Sequence, residues 1–516
     1  TALQSILPSS DSARSREAII SVDGRQYPVD ELYVKEPVRD YLKTAVQIAI
    51  QIHFEDDAVS SSLGGDILCF LPSAEDIDCA VRMGEEMFQQ MSQEQQKGDL
   101  QQQKKIKRNK VQLVFLPLYG QLPIQVQARV FQPRKTAEFP HRRAIFATNI
   151  AETSVTVPNI THVIDSGFVK LPFFDPKTSL DRLIVCPVSL SGSLQRAGRA
   201  GRDRPGKVYR LYTQQHFQSL LPKITPPEVL RTNLSSFVLT LKSLGIDNLT
   251  HFDLITSPAV DALSDALAVL YALGALSEDA SLTPLGIQMS EFPTDPFCSK
   301  MLLSSLKFDC VNDILTIAAL SQVQNVFRMP RTRQQEADFN SVQNDIVDYS
   351  GDHVTYVKVM ALAQGKGEEE CEEMFINYSA ISRAKEIRKQ LRNILLTSSK
   401  IEENEVCFPM INEGRRNFSD AEMEKERGKR LRKCVLSGFF FNVARLQSDG
   451  HYHTLRGGTL IKLSSSSVLS RYYGENKNEF IVFSETYDSS KGDMEARSCS
   501  VVDARWLKEV TPNYWE

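Results

Sequence analysis

Residues 195–202 read QRAGRAGR, with an arginine at every third position and a glycine before the second and third of them. On a helix, a spacing of three places side chains near one face, so the pattern predicts that the arginines share a side of the chain. Each glycine costs about 1 kcal/mol relative to alanine in a helix, which indicates close packing of the backbone instead. Arginine forks bind phosphate oxygens and can neutralise a transferring phosphoryl group. The alternative is a surface helix held by salt bridges.

The octet follows a region in which short apolar runs alternate with helical patterns. The predicted strands are 66–71, 111–117, 143–148, 161–165 and 208–212. Ser73 and Asp76 resemble a capping box that starts a helix after the first strand, and Pro123 opens another helix. Strands separated by helices predict a mostly parallel α/β sheet. Ligands bind such sheets at the carboxyl ends of the strands.

The pattern becomes helical after residue 213. Residues 225–228, TPPE, have the cap, proline and glutamate of a helix start, and the apolar spacing that follows predicts one helix ending at Gly245. Together with a second helix near 260–271, this predicts a winged-helix-like unit. More helices are predicted up to residue 398, and short strands with polar turns from about residue 430 predict a small antiparallel barrel.

The composition sets the class of protein. The chain has 516 residues, of which 42% are hydrophobic and 24% charged, and this excludes a wholly disordered or collagen-like chain. About 150 residues per domain predicts three or four domains. Sixty Lys and Arg against 64 Asp and Glu give a net charge of −4, so any nucleic-acid interaction has to depend on local basic patches.

The sequence also predicts an intracellular, soluble protein without a membrane segment. The mean hydropathy is −0.25, and no apolar run approaches the ~20 residues of a membrane span. The first residues, TALQSILPSSDSARSREA, lack a secretory signal pattern. The nine cysteines are never spaced as CxxC, which favours buried free thiols over disulfides or zinc. Residues 89–110 are Gln-rich and end in a basic run, which is typical of a solvated loop; an RNA-binding arm is the alternative.

The octet resembles the sixth conserved motif of superfamily 2 helicases, in the form found in the DEAH-box/RHA family of ATP-dependent RNA helicases. Other segments from about residue 20 to the end resemble the same family. They are ILCFLPSAED (67–76), LYGQL (118–122), RVFQP (129–133), TNIAETS (148–154), VIDSGF (163–168) and GDH (351–353). The resemblance implies a multidomain chain of mixed class: a RecA-like parallel α/β domain, a winged helix, a helical ratchet bundle and an OB-like barrel.

The resemblance also implies domain boundaries. Residues 1–34 would be the tail of a first RecA-like domain or a linker, and 35–213 the second RecA-like domain. The winged helix would cover 214–284, the ratchet 285–398 and the barrel 399–516. Residues 168–188 would form a β-hairpin that helps to separate strands.

The resemblance assigns roles to individual residues. Arg199 and Arg202 would be catalytic arginine fingers on the γ-phosphate, and Gln195 would help to position the attacking water. Phe131 would stack on the adenine, although a helix-terminal core aromatic is an equal alternative. The candidate contacts to the RNA backbone are Gly120, Thr148 and Asn149, which suit phosphates without reading sequence. Thr153 and Ser154 would couple the RNA site to the nucleotide site.

Two basic groups are further candidates for RNA binding, with solvated surface charge as the alternative. They are Arg328, Arg331 and Arg333, and the run Arg427, Lys429, Arg430, Arg432 and Lys433. The histidines at 451 and 453 fit a turn better than a metal site, and we predict no metal bound by this chain alone.

The sequence contains neither GxxxxGK[ST] nor a DEAH box. The expected cofactor is ATP, or another NTP, with Mg²⁺ held mainly by an upstream domain. We therefore expect the C-terminal portion of an ATP-dependent RNA helicase, carrying half of a two-part active site and inactive as an ATPase alone. The alternatives are a non-catalytic RNA- or protein-binding scaffold derived from such an enzyme and a DNA-directed helicase. The implied partners are single-stranded RNA or RNP and an activator of the G-patch type, with a nuclear or nucleolar location favoured over a cytoplasmic one.

Overall fold

The structure, a computed structural model, describes residues 27–55, 64–96, 112–120, 122, 124–132, 141–153, 155–175, 178, 180–323, 326–328, 333–399, 420–471, 478–488, 493–511 and 514. They form two compact units. The first comprises the described parts of residues 1–171 and 184–226, and the second those of 172–183 and 227–516.

The strands, in chain order, are β1 (Val29–Tyr33), β2 (Asp66–Phe70), β3 (Gln112–Leu118), β4 (His141–Ala147), β5 (Ile160–Asp165), β6 (Phe168–Asp175), β7 (Leu180–Pro187), β8 (Gly206–Arg210), β9 (Val443–Leu446), β10 (Tyr452–Thr454), β11 (Leu460–Leu463), β12 (Phe480–Asp488) and β13 (Met494–Val502). The helices are α1 (Tyr41–Glu55), α2 (Ala74–Gln96), α3 (Ile124–Phe131), α4 (Leu190–Ala197), α5 (Gln214–Ser219), α6 (Ser235–Ser243), α7 (Val260–Ala272), α8 (Pro284–Ser290), α9 (Pro296–Lys307), α10 (Val311–Ser321), α11 (Arg333–Ile346), α12 (Asp352–Leu362), α13 (Glu368–Glu373), α14 (Tyr378–Ser399), α15 (Asp420–Phe439), α16 (Val468–Arg471) and α17 (Ala504–Val510).

The first unit is built on a six-stranded sheet in the order β1-β8-β5-β2-β4-β3. Every pairing between neighbouring strands is parallel, so the predicted parallel α/β domain is confirmed. Alternate residues of β2 enter different cores: Ile67 and Cys69 pack with α1 and α2, whereas Leu68 and Phe70 join the cluster that contains Ala197. Burial on both faces explains why these strands are continuous apolar runs in the sequence.

The predicted helix start at residues 225–228 is wrong. Only a 3₁₀ turn, Glu228–Leu230, forms there, and α6 begins later, at Ser235. Pro227 has an extended ψ of 151°, and a proline disfavours the helical conformation in the residue before it. The Thr225 hydroxyl lies 3.0 Å from the Ser189 hydroxyl and does not cap a helix. The predicted end of the helix is correct, because Gly245 has a φ of +81°.

The second unit contains the helices from α6 onward and a closed barrel in the order β10-β11-β13-β12-β9. The predicted barrel therefore exists, but it is not wholly antiparallel, because β11 pairs with β13 in parallel. Helix α16 and strand β12 lie between these two strands in the sequence and provide the crossover that a parallel pair needs.

The predicted hairpin is present as the two-stranded sheet of β6 and β7. The described residues between Pro172 and Leu183 belong to the second unit. Within that unit, Phe174 N donates to Arg231 O at 2.6 Å, and Arg231 Nη1 donates to Pro172 O at 3.2 Å. The role of this hairpin in separating nucleic-acid strands stays a prediction.

None of the helices in the described ranges has the length and apolar character that a membrane span requires.

Candidate functional site

The candidate RNA contacts lie together at one edge of the parallel sheet. Leu118 at the end of β3 pairs with Ala147 at the end of β4, and Thr148 N donates to Leu118 O at 3.2 Å. Gly120 and Asn149, which follow these ends, are exposed. A Cβ atom at Gly120 would meet nothing within 4 Å, so a ligand can approach the backbone closely here.

The candidate RNA contacts continue directly into residues 152–156, which we call the linking segment. Thr148 caps a 3₁₀ turn, Asn149–Ala151, but its side chain makes no capping hydrogen bond. The linking segment then leads from this edge of the sheet toward Ile160, where β5 begins. The turn and the linking segment are thus continuous in the backbone.

The last two arginines of the octet, like the first, contact the linking segment. Arg199 donates from Nε to Glu152 O at 3.0 Å, from Nη2 to the same oxygen, and from Nη1 to Val155 O at 2.8 Å. Arg202 Nη1 donates to the Thr156 hydroxyl at 3.0 Å. Only 6% of Arg199 is exposed, whereas Arg202 is an exposed cation. Arg202 is therefore ready to meet an anion, and Arg199 has to exchange its carbonyl partners to do so.

The electrostatics of this arginine pair favour an anion. Burial lowers the pKa of Arg199, and the neighbouring charge of Arg202 lowers it further, although the Glu152 carboxylate opposes this. That carboxylate is already paired with Arg196, whose Nε lies 3.0 Å from Glu152 Oε2. Arg199 and Arg202 therefore place two guanidinium groups next to each other, and the carboxylate near them is already paired with Arg196. Such a pair of guanidinium groups is suited to binding phosphate oxygens.

Arg196 makes different contacts from the other two arginines. Its Nη1 donates to Asp165 Oδ1 at 2.8 Å and to Phe168 O at 3.1 Å, so it connects the linking segment, the end of β5 and the start of the hairpin. Burial raises the pKa of Asp165, but the Arg196 charge and the hydrogen bonds from Gly167 N and the Tyr212 hydroxyl lower it more, so the carboxyl is ionised. Arg196 therefore forms salt bridges, but in the interior and not on the surface helix of the alternative interpretation.

The local backbone explains why the arginines separate. Ser189 caps α4 by accepting from Gly192 N at 3.1 Å, and the helix ends at Ala197. Arg199 and Arg202 lie in the turns that follow, so the expectation of one shared helical face is wrong. The expected close packing is present at one of the two glycines. A Cβ on Gly201 would lie 2.7 Å from Val29 Cγ2, whereas a Cβ on Gly198 would make only ordinary contacts.

Residues 201–207, GRDRPGK, match the phosphate-loop pattern at every position except the last, where Val208 stands. A phosphate-binding loop connects a strand to the start of a helix. Here the order is reversed, since α4 precedes the stretch and Gly206 begins β8. This stretch is therefore not a phosphate-binding loop.

The remaining predicted residues are placed as follows. Phe131 is half-buried at the end of α3 and packs against the apolar cluster of the first unit, so both interpretations of this ring stay open. Gln195 and Thr153 are exposed. Ser154 lies outside the described residues. In the described part of the chain, no three His, Cys, Asp or Glu side chains are grouped to hold a metal ion.

The five basic residues between Arg427 and Lys433 in α15 have intramolecular partners. The pairs are Arg427 with Asp313, Lys429 with Glu426, Arg430 with Asp309, and Lys433 with Glu509. Arg432 donates to Val501 O at 2.9 Å and lies over the Trp506 ring. Arg328 pairs with Glu372, while Arg331 and the side chain of Arg333 lie outside what the structure describes. These contacts pair the described basic residues within the chain and support the alternative of surface charge more than an open basic groove.

The sequence reasoning did not single out Glu152 or Asp165. Each was quoted only as part of a motif. The signal for Asp165 was available: a carboxylate that ends the buried strand VID needs a cation beside it. Glu152 has no comparable signal, because its role depends on where α4 lies.

Four family models match successive parts of the chain. The helicase conserved C-terminal domain matches residues 56–204, and the winged-helix part of the helicase-associated domain (HA2) matches 266–294. The ratchet-like part of HA2 matches 295–356, and the oligonucleotide/oligosaccharide-binding (OB) fold matches 431–514.

Curated relatives match almost the whole chain. The human protein named probable ATP-dependent RNA helicase DHX35 is 36% identical over 510 residues, covering 98% of this chain and 66% of the relative. The Arabidopsis thaliana pre-mRNA-splicing factor ATP-dependent RNA helicase DEAH10 is 34% identical, covering 96% and 64%. The chain thus spans just under two thirds of the length of these relatives.

A solved structure shows the same fold. The DExH-box NTPase HrpB of Escherichia coli aligns with a TM-score of 0.62 and 22% identity, over 95% of this chain and 48% of that one.

A RecA-like domain with an arginine-bearing octet, followed by winged-helix, ratchet and OB domains, defines the C-terminal region of a superfamily 2 helicase. Within that class, the chain belongs to the DEAH-box/RHA family.

Proposed function

We propose that this chain works as part of an ATP-dependent RNA helicase that couples nucleotide hydrolysis to movement along single-stranded RNA and to remodelling of RNP. One observation carries the proposal. The candidate RNA contacts, Thr148 and Asn149, and the carbonyls that hold Arg199 belong to one short stretch of backbone. RNA and nucleotide can therefore influence each other over a few residues.

The arginine pair would serve the nucleotide half of the reaction. The exposed Arg202 binds the γ-phosphate first, and Arg199 follows when it leaves the carbonyls of the linking segment. Both stabilise the charge that develops as the phosphoryl group leaves, a contribution worth about 10³–10⁵ in rate in other NTPases. Gln195, exposed on α4, orients the attacking water.

The remaining phosphate contacts would come from the first RecA-like domain, upstream of this one. Such a domain supplies the lysine of the phosphate-binding loop and the acidic residues that hold Mg²⁺, which neutralises charge on the β- and γ-phosphates when bound. We call a polypeptide in which such a domain precedes these 516 residues the complete helicase. The greater length of the curated relatives supports this proposal.

The RNA contacts would be independent of sequence. Gly120, Thr148 and Asn149 offer backbone, hydroxyl and amide groups at a sheet edge, and such groups bind phosphate oxygens rather than base edges. When the two RecA-like domains close on ATP and reopen after hydrolysis, the 3₁₀ turn and the linking segment move together, and Thr153 and Ser154 belong to this coupling stretch.

The biological context is part of the proposal. The Arabidopsis relative is named a pre-mRNA-splicing factor, and this supports a nuclear location and an RNP substrate. An activator of the G-patch type is a further expected partner.

The test compares the 516-residue chain with the complete helicase. We expect the chain alone to bind single-stranded RNA without hydrolysing ATP, and the complete helicase to hydrolyse ATP faster when RNA is added. Hydrolysis by the chain alone would contradict the divided active site. A complete helicase that binds RNA but never hydrolyses ATP would favour the scaffold alternative, and equal stimulation by DNA would favour a DNA-directed enzyme.

A further inference from the structure

Strand β4 carries two adjacent buried arginines that hold different helices. Arg142 Nη1 donates to Ile52 O in α1 at 3.2 Å, and its Nη2 lies 2.9 Å from His162 Nδ1. Arg143 points to the other side of the sheet and reaches the end of α3. Arg142 and Arg143 are 1% and 3% exposed, so a substitution at one can serve as the control for the same substitution at the other.

Arg143 is fixed by one carboxylate. Its Nε and Nη2 donate to Asp66 Oδ2 at 2.8 and 2.6 Å, and its backbone N donates to Asp66 Oδ1 at 3.0 Å. Asp66 is fully buried at the start of β2. Because both sides of the ion pair are hydrogen-bonded and enclosed, the guanidinium has a single defined orientation.

The remaining guanidinium nitrogen of Arg143 contacts the backbone on both sides of Phe131. Nη1 donates to Val130 O and to Gln132 O, each at 2.9 Å. These are the carbonyls immediately before and after Phe131, where α3 ends. Carbonyls in the last turn of a helix lack partners within the helix, so this contact holds the end of α3 and the backbone on both sides of Phe131.

We propose that Arg143 is a positioning residue for nucleotide binding: through Val130 O and Gln132 O it holds Phe131 in the orientation that stacks on the adenine. The inference depends on the proposed function, since it presumes that Phe131 meets a base. Arg143 itself touches no substrate in this account. Asp66 serves by keeping the guanidinium in place.

A lysine cannot replace Arg143 in this role. Its single ammonium group is unable to pair with Asp66 and reach two carbonyls in the planar fork geometry of a guanidinium. Arg143→Lys therefore keeps the buried positive charge but releases the end of α3. Arg142→Lys makes the equivalent change on the same strand without affecting Phe131, and is the control.

The first measurement is hydrogen exchange in the 516-residue chain. We expect Arg143→Lys to accelerate exchange in residues 124–132 at least fivefold, and Arg142→Lys to leave that stretch unchanged. If Arg143→Lys does not fold, Asp66→Asn provides the second variant and should accelerate the same residues. Unchanged exchange at 124–132 in the folded variant, or equal acceleration by Arg142→Lys, would overturn the inference.

The second measurement is the steady-state ATPase of the complete helicase with saturating RNA. Loss of base stacking should raise KM for ATP by roughly five- to tenfold with kcat within twofold, for both Arg143→Lys and Phe131→Ala. The double variant should match Phe131→Ala alone, because both changes remove one interaction.

The outcomes separate this inference from the proposed function. If Phe131→Ala raises KM but Arg143→Lys does not, the inference fails and the helicase proposal stands. If Phe131→Ala leaves KM unchanged, there is no stacking to position and the inference also fails. If the complete helicase has no ATPase activity at all, the proposed function itself fails, whereas the exchange experiment still reports on the anchoring of α3.

Discussion

Arg196 Nη1 lies 2.8 Å from Asp165 Oδ1, and neither side chain is more than 1% exposed. This ion pair joins α4, which contains the first residues of the octet, to the end of β5. Arg196 also pairs with Glu152, which belongs to the linking segment. The Arg196–Asp165 pair places Arg199 and Arg202 against the stretch of backbone that carries the candidate RNA contacts. The first arginine of the octet is thus a structural anchor, and the other two are available for chemistry.

Arg196→Gln should strongly destabilise the first unit, because the buried, charged Asp165 would lose its nearer ion-pair partner and keep only Arg210, whose Nη1 lies 3.7 Å from Oδ2. We expect a loss of about 3–5 kcal/mol. Native-state hydrogen exchange of the β5 and β8 amides measures it. Adding Asp165→Asn should recover part of the loss, and a single variant within 1 kcal/mol of the parent would contradict the role of the pair.

Gly201→Ala should also destabilise the first unit. The new Cβ would lie 2.7 Å from Val29 Cγ2 and 2.8 Å from Tyr27 O, and the backbone oxygen cannot rotate away. Crowding of this kind costs about 1–3 kcal/mol. Gly198→Ala is the control, since its nearest neighbour is 3.4 Å away. Thermal unfolding of the two variants compares them, and equal midpoints would refute the packing argument.

The stability of the second unit should decrease below pH 6.5 because of His353. Its ring nitrogens lie 2.9 Å from the hydroxyls of Ser500 and Ser484, and burial lowers its pKa to about 3. The unfolded chain takes up a proton near pH 6.5 and the folded chain does not, so stability present above pH 6.5 is lost as the pH falls toward 3.

Between pH 7 and pH 5 this loss amounts to about 2 kcal/mol. Urea unfolding followed by tryptophan fluorescence measures it, since both tryptophans, Trp506 and Trp515, fall within the sequence of the second unit. His353→Asn should reduce the decrease by this amount. Parallel pH profiles for the parent and the variant would rule out His353 as the cause.

Asn149→Ala should weaken RNA binding by the 516-residue chain several-fold, and to the same extent for unrelated sequences, because phosphate contacts carry no sequence information. Fluorescence anisotropy with two single-stranded RNAs of different composition tests this. A loss confined to one of the two RNAs would indicate base recognition instead.

The parts of the fold that depend on local pattern were predictable from the sequence. Buried parallel strands such as 66–70 are apolar runs, and the hairpin and the end of the helix at Gly245 follow from similar signals. The helix start at residues 225–228 was wrong because two consecutive prolines stand there: Pro227 disfavours a helical Pro226, and its own ψ is extended in the structure. The parallel pair in the barrel depends on the path of the chain, which local pattern does not encode.

The candidate site was predictable only in part. The octet identified the arginines, but not that α4 ends before Arg199 or that Glu152 receives hydrogen bonds from two of them. These contacts depend on how α4 packs against the linking segment. Likewise, the sequence left both RNA binding and solvated surface charge open for the run Arg427–Lys433, because the partners of Arg427, Arg430 and Lys433 are remote in sequence.

The most direct test of the central claim is kcat for ATP hydrolysis by the complete helicase carrying Arg202→Gln, measured with saturating single-stranded RNA. Arg202 is exposed and has one described hydrogen bond, to Thr156, so the substitution removes a phosphate contact without disturbing a core. We predict that kcat falls at least about 1,000-fold while affinity for RNA stays within about threefold. A kcat within about tenfold of the parent would contradict the assignment of this arginine pair to the transferring phosphate.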